Sequence, residues 1–370
     1  MARPVGAELR TEPLPSLPAI AWDVLAVAPG RQRGASLQRA LGSLGDRCGP
    51  DEVIVRGALA HPLVVPEAAS VLAPWLIASA GSKHNAQPAG AMRVLAALAV
   101  GAPQVIAGAP LHPEITAVRA GVTEAIAASW SAWVARLFER KLVTRTAAAW
   151  LLAALPGREA ETLALLADLL DAPGSKDALR AQLLLSWATI ARRSGVDGSA
   201  RLTAGFDKGG GLERTAAAVA LAASGRSKDV WDHLRHIASQ PKDPDDEVRS
   251  DVPWVPRTLA LQAMAAHQLR QALPKGPEAV VALIRGPSAS YIGAVVRAIG
   301  LHYFAARGRA LPAGPSLSLF PDERDILELL VPAVVARAPV GIALAPGLLP
   351  DETDVLAQLW HRLREAGPSP

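Results

Sequence analysis

The chain has 370 residues, half of them hydrophobic and 19% charged, which excludes global disorder and provides for a large core. Its formal charge of +4 is small for this length, so a surface for nucleic acid, which needs clustered positive charge, is disfavoured. Alanine supplies 74 residues and aromatics only 4%; Ala is the best helix former and strand formers are scarce, so the composition points to an all-α fold.

In chain order, residues 1–15 read as a disordered arm. The first eighteen residues carry acids and prolines and no apolar h-region, so no secretory signal is expected. Proline and glycine then cut the chain into helix-sized pieces. Helices are predicted over 17–28, 34–44, 51–60, 67–79, 89–100, 114–142, 144–155, 159–171, 176–193, 211–224, 228–239, 255–273, 277–285, 289–307, 323–337 and 352–365. Two longer loops interrupt them, the acidic 241–253 and the Gly/Pro/Ser-rich 308–322. The longest weakly charged runs, 94–113 and 331–350, are broken by glycine and proline, so no membrane span is expected. Cys48 is the only cysteine; no intramolecular disulfide can form, which fits a reducing, cytoplasmic setting. Arg outnumbers Lys 31 to 7 and Asn85 is the only asparagine, which reads as the coding bias of a GC-rich, bacterial genome.

Apolar stripes recur at helical spacing: Leu179, Leu183, Trp187 and Ile190 on one helix, and Leu163, Leu166 and Leu170 on the one before it. The strongest pattern is internal self-similarity. Five helices align on a leading arginine, Arg145, Arg180, Arg214, Arg257 and Arg297, spaced 35, 34, 43 and 40 residues apart. One after the arginine stands Thr or Ala. Seven after comes a large apolar residue (Leu152, Trp187, Leu221, Met264, Phe304). Eight after is always alanine: Ala153, Ala188, Ala222, Ala265 and Ala305. A large residue that fills an interhelical space beside a small one that admits close approach is what stacked helices require.

The unit is clearest from Thr162 to Arg193: an apolar helix, an Asp-Pro-Gly turn, then Asp177, Arg180 and a second apolar helix. QPKDPDDEVRSD and GPDEVIVRGALAH echo it. This resembles the HEAT-like repeat family, in which an Asp and an Arg lie at the turn into the second repeat. The resemblance implies a right-handed α-solenoid of antiparallel helix pairs, an armadillo-type superhelix. Its expected parts are irregular or divergent repeats over 16–142, HEAT-like repeats over 143–310 and a C-terminal cap over 311–366. The arginines are expected to pair with an acid or a carbonyl of the adjacent repeat.

Motifs for chemistry are sparse. His233 and His236, with Asp229 and Asp232, have the spacing of metal ligands on one helix face. However, Val230, Leu234 and Ile237 form that helix's apolar stripe, so the histidines are expected at the surface, and no metal or cofactor is expected. The segment 130–145 interleaves Trp130, Trp133 and Phe138 with Arg136, Arg140, Lys141 and Arg145; stacking aromatics among basic residues can hold nucleic acid. Some HEAT-like DNA glycosylases use concave Trp, Asp and Arg residues, which leaves a nucleic-acid module or glycosylase-type enzyme as the alternative. For this segment itself the reading favoured is an amphipathic helix with its Trp face in the core and its basic face wet. GFDKGGGLE (205–213) has glycines in the wrong order for a phosphate loop and reads as a flexible turn. The leading expectation is a scaffold that binds another protein or peptide on a concave face, with Trp254, Trp133, Arg136, Arg140, Asp245 and Asp246 as the contact residues.

Overall fold

The computed structural model describes residues 8–23, 25, 34–47, 49–59, 67–100, 113–222, 228–240, 252–283, 295 and 298. The predicted helices 289–307, 323–337 and 352–365, the repeat helix that begins at Arg297 and both long loops lie outside the described residues, apart from residues 252, 253, 295 and 298. Among the described residues the fold is all-α, with fourteen helices and no strand. They are α1 (Ala35–Gly42), α2 (Pro50–Leu59), α3 (Glu67–Gly81), α4 (Ala89–Val100), α5 (Pro113–Ala127), α6 (Trp130–Leu137) and α7 (Leu142–Ala154). After these come α8 (Glu159–Asp171), α9 (Asp177–Arg193), α10 (Ser199–Lys208), α11 (Gly211–Ala222), α12 (Lys228–Ser239), α13 (Pro256–Ala272) and α14 (Pro277–Ala282).

Packing follows chain order. α4 packs on α7, α7 on α9, α9 on α11 and α11 on α13. Each of these also packs against the helix immediately before it: α3 on α4, α6 on α7, α8 on α9, α10 on α11 and α12 on α13. The apolar columns explain this. In the position eight after each leading arginine, Ala153, Ala222 and Ala265 are buried, as are Leu152, Trp187 and Leu221 one position earlier. Alanine keeps the neighbouring helix axes close, and the large residue beside it fills the remaining space.

The leading arginines tie each pair together. Arg145 Nε donates to the Leu137 carbonyl at the end of α6 at 3.0 Å. Arg180 Nη1 donates to Leu170 O near the end of α8 at 2.6 Å, and Arg257 Nε to Ala238 O near the end of α12 at 3.2 Å. The last turn of a helix leaves carbonyls unsatisfied and carries partial negative charge, so a guanidinium there meets both needs. Arg214 differs: it lies over the Phe206 ring of α10 at 4.8 Å.

Neighbouring units are linked through the same residues. Arg180 also grips Glu213 of α11 with two bonds, at 2.7 and 2.9 Å. Asp177 accepts the backbone N–H groups of Leu212 and Glu213 at 2.9 and 3.0 Å, so a carboxylate in α9 caps the start of α11. In the N-terminal third, buried Arg93 of α4 holds buried Glu52 of α2 with bonds at 3.0 and 2.8 Å from Nε, and reaches Asp46 O at 3.1 Å.

Several predicted elements differ. Residues 17–23 of the expected helix 17–28 are not helical; Pro13, Pro15 and Pro18 hold the preceding residues extended. Residues 8–15, expected as a disordered arm, run extended and fastened along α3. The expected single helix 114–142 is two, α5 and α6, with the break at Ala128–Ser129. There the Trp133 indole donates to the Ile126 carbonyl at 2.8 Å and takes the place of the lost helical donor. Finally, α10 occupies a stretch for which no helix was predicted, and Gly205 of the presumed flexible turn lies inside it.

The α10 glycines serve close approach. A Cβ on Gly198 would stand 2.7 Å from the Trp187 ring, and one on Gly205 the same distance from Leu184 Cδ2. Gly90 in α4 shows a tight case against the backbone of another segment, its Cβ position 2.6 Å from Gly45 O. Alanine normally stabilises a helix interior by about 1 kcal/mol over glycine. Gly90→Ala should nevertheless destabilise the protein by roughly 1–3 kcal/mol through overpacking, whereas Gly121→Ala in α5, with no atom within 4 Å, should stabilise it by about 0.5–1 kcal/mol; opposite shifts of the urea midpoint check the pair. For the linking ion pair, Arg180→Met should cost on the order of 2–3 kcal/mol by leaving Glu213 buried without its partner. Arg180→Met with Glu213→Leu should recover most of that loss, measured by urea unfolding of the two variants.

Candidate functional site

The expected contact residues do not form one site. Trp133 is fully buried in α6. Arg136 is 2% exposed and donates to Ala80 O at 3.0 Å, to Ser82 O and to Glu139. Neither is available to a partner: both hold the α5–α6 break and the end of α3 in place. The expected wet basic face is wet only after α6, where Arg140 is exposed. Lys141 beside it bridges to Asp46 Oδ2 at 2.9 Å and to Ala86 O. Asp245 and Asp246 lie outside the described residues.

Trp254 is half-buried, and its indole is engaged. Nε1 donates to Gln182 Oε1 of α9 at 2.9 Å, and Gln182 Nε2 donates to Ser186 Oγ at 2.8 Å. Gln182 and Ser186 are both 2% exposed. Gln182, Ser186 and Thr189 make a polar stripe on α9 by i, i+4, i+7 spacing. That stripe, within the apolar middle of the helix, is the signal in the sequence that points to this contact. Trp254, in the segment before α13, thus crosses to α9 and seals it. The inner helices expected to face a partner are themselves core: α7, α9 and α11 are buried along nearly their whole lengths.

The accessible surface belongs to the first helix of each pair. α8 exposes Glu161, Asp168 and Asp171; α10 exposes Asp207 and Lys208; α12 exposes Asp229, Asp232, Arg235 and His236. Arg201 of α10 binds Asp171 of α8 through two bonds, at 2.9 and 3.0 Å, which holds the Asp171 carboxyl below the usual range, chiefly through the hydrogen bond. The result is a mixed-charge ridge. Two clefts interrupt the described surface. One, of about 160 Å³, lies between the ends of α9, α10 and α11 and is lined by Leu185, Thr189, Val196, Leu202 and Leu221. The other, of about 440 Å³, is rimmed by Asp46, Arg47, Asp51 and Gln87.

A second arginine position went unread in the sequence. Arg193 and Arg270 each stand thirteen residues after a leading arginine (180 to 193, 257 to 270). Arg193 donates to Ala153 O at 3.0 Å and Leu155 O at 2.7 Å at the end of α7. Arg270 reaches Ala222 O at the end of α11 at 3.5 Å. The far ends of neighbouring core helices are therefore tied as well.

The histidine pair serves packing. His233 Nε2 lies 3.2 Å from Thr215 Oγ1, and the ring stands edge-on to Phe206. His236 is exposed on the adjoining face. Among the described residues no group of three or more His, Cys, Asp or Glu is placed to hold a metal ion, and no helix is long and apolar enough to cross a membrane. No protein-family model, curated protein or solved structure matches the chain.

Burial, with Arg214 and His236 nearby, pushes His233 below its ordinary value of 6.5, and burial with Arg270 does the same to His267. The folded state binds these protons less readily than the unfolded chain. Stability is therefore full above about pH 6.5 and falls as pH drops below it. The thermal midpoint should decline from pH 7.5 to pH 5, and His233→Gln should flatten part of that decline; calorimetric scans at both pH values measure the slope.

Proposed function

We propose that the chain is a non-catalytic protein-binding scaffold, built as a right-handed α-solenoid of antiparallel HEAT-like helix pairs. The observation that carries this reading is the sequence-order stack α4, α7, α9, α11 and α13, each backed by the preceding helix. Repeated contacts support it: three leading arginines seek the carbonyl end of the helix before, and Asp177 and Arg180 reach into the next unit. An Asp and an Arg at this turn belong to the HEAT-like resemblance, and pairing of the Arg with an acid of the adjacent unit is what that resemblance implied.

A stack in which each unit touches only its neighbours grows an elongated surface without needing a central active site. The inner helices are covered, so the partner's place is the mixed-charge ridge of α8, α10 and α12. Its mostly acidic, mixed charge suits a protein with complementary charges better than a polyanion, which calls for positive charge along its length. The nucleic-acid alternative loses its best residues, because Trp133 and Arg136 are committed inside. A cytoplasmic protein in a bacterial assembly remains the setting that fits this reading.

The test pairs capture with charge reversal. Immobilised full-length chain should retain a defined protein from lysate of the expressing cells. Binding of that purified protein should weaken about tenfold, roughly 1.4 kcal/mol, in an Asp168→Lys/Asp232→Lys variant of unchanged helix content. Duplex DNA binding whose affinity falls steeply with salt, without a protein partner, would reverse the conclusion.

A further inference from the structure

The extended segment at the start of the described chain lies on the helices as a peptide lies in a receptor. Arg10 N–H donates to Gly81 O at 3.0 Å, and Lys83 N–H returns a bond to Arg10 O at 2.9 Å, at the end of α3. This is the isolated parallel bridge of Arg10 with Ser82. Three more carbonyls are read in succession. His84 Nε2 lies 3.1 Å from Thr11 O, Ser82 Oγ donates to Glu12 O at 2.9 Å, and Trp75 Nε1 donates to Pro15 O at 3.2 Å. Among the described residues one arm side chain makes a polar contact in the groove: the Arg10 guanidinium donates to buried Ser129 Oγ at 2.7 Å, at the α5–α6 break. The outer side is wet, with Glu12, Pro13 and Leu14 exposed, Leu14 at 49%. Leu9, Leu17 and Ile20 supply the apolar contacts.

Two physical features make this a recognition geometry. Pro13, Pro15 and Pro18 fix φ and hold the segment extended before it docks, which lowers the entropy lost on binding. The groove addresses backbone carbonyls with an indole N–H, a hydroxyl and an imidazole, the strategy by which aromatic-lined grooves take proline-rich peptides. It specifies shape, proline spacing and one arginine, and leaves most side chains unread.

We propose that the groove bounded by Trp75, Ser82, His84 and Ser129 is a docking site for extended segments of a partner protein with the pattern Arg-x-x-Pro-x-Pro, and that the chain's own arm occupies it as an intramolecular competitor. The tether gives the arm an effective concentration in the millimolar range, so an incoming segment must be locally concentrated or bind more tightly. This rests on the scaffold reading only for the partner being a protein; the experiment below uses no partner and can fail while that reading stands.

A protease site is placed within residues 26–33 of the full-length chain, the protein is cleaved, and a fluorescent peptide of residues 8–20 is added. The cleaved arm should co-elute with the body until excess peptide displaces it, with saturable anisotropy. R10A, or P13A with P15A, in the peptide should weaken binding about tenfold with the body untouched. Trp75→Phe or Ser129→Ala in the body should do the same with an unchanged circular dichroism spectrum. An arm that leaves on cleavage together with a peptide that fails to saturate at millimolar concentration overturns the proposal, as does equal binding of R10A and the parent peptide. Dimers of the uncleaved chain that the peptide dissociates would assign the groove to a second copy's arm and overturn the partner assignment.

Discussion

Every α-helix ends with carbonyls that have no partner within it, and this chain answers that need with arginines from the next helix. Arg145, Arg180 and Arg257 each stand in the first turns of a core helix and reach the closing carbonyls of the helix before it. The bond fixes the angle of each hairpin, because a guanidinium can meet the carbonyl only if both helix ends lie at the same edge. Arg193 and Arg270 do the corresponding work at the opposite edge, between successive core helices. With both edges tied, the faces between can be lined with alanine, which contributes little side-chain burial of its own but admits close packing over a long contact.

Much of this was legible beforehand. The helices at 50–59, 89–100, 159–171, 177–193 and 256–272 fall within one or two residues of their expected bounds, because proline, glycine and acidic first turns mark where helices start and stop. Most of the Ala and large-apolar columns are buried where described, with Ala188 and Met264 partly exposed, for the periodic reason that suggested them. The arginine frame was visible too, although Arg145 and Arg257 meet a carbonyl of their own helix pair and Arg214 lies over the Phe206 ring. Its echo thirteen residues on was not read, because in Arg-rich sequence a second arginine carries little information until its distance from a helix end is known.

The misses share a cause: a local signal was outweighed by a tertiary contact. Glycines at 205, 209 and 210 read as a flexible turn, yet Gly205 lies inside α10 against Leu184 and Gly210 makes room for Asp177. The Trp and Arg of α6 looked like a ligand surface because periodicity cannot tell a solvated arginine from one that satisfies the carbonyls of α3. The arm 8–15 looked disordered because its order comes from groups about sixty to one hundred and twenty residues away. At the candidate site Trp254 is partly exposed, yet its indole closes over Gln182 instead of standing free for a partner.

The crowding around α10 bears on how such a protein can change over evolutionary time. Arrays of like units are easily lengthened or shortened by duplication and deletion, provided any unit can sit beside any other. Here that freedom is curtailed at one joint. A copy of α8 moved into the place of α10 would bring side chains into space already filled by the Trp187 ring and Leu184. Growth and loss are therefore easier elsewhere in the chain, and the stretch from α9 to α11 should be inherited as a block.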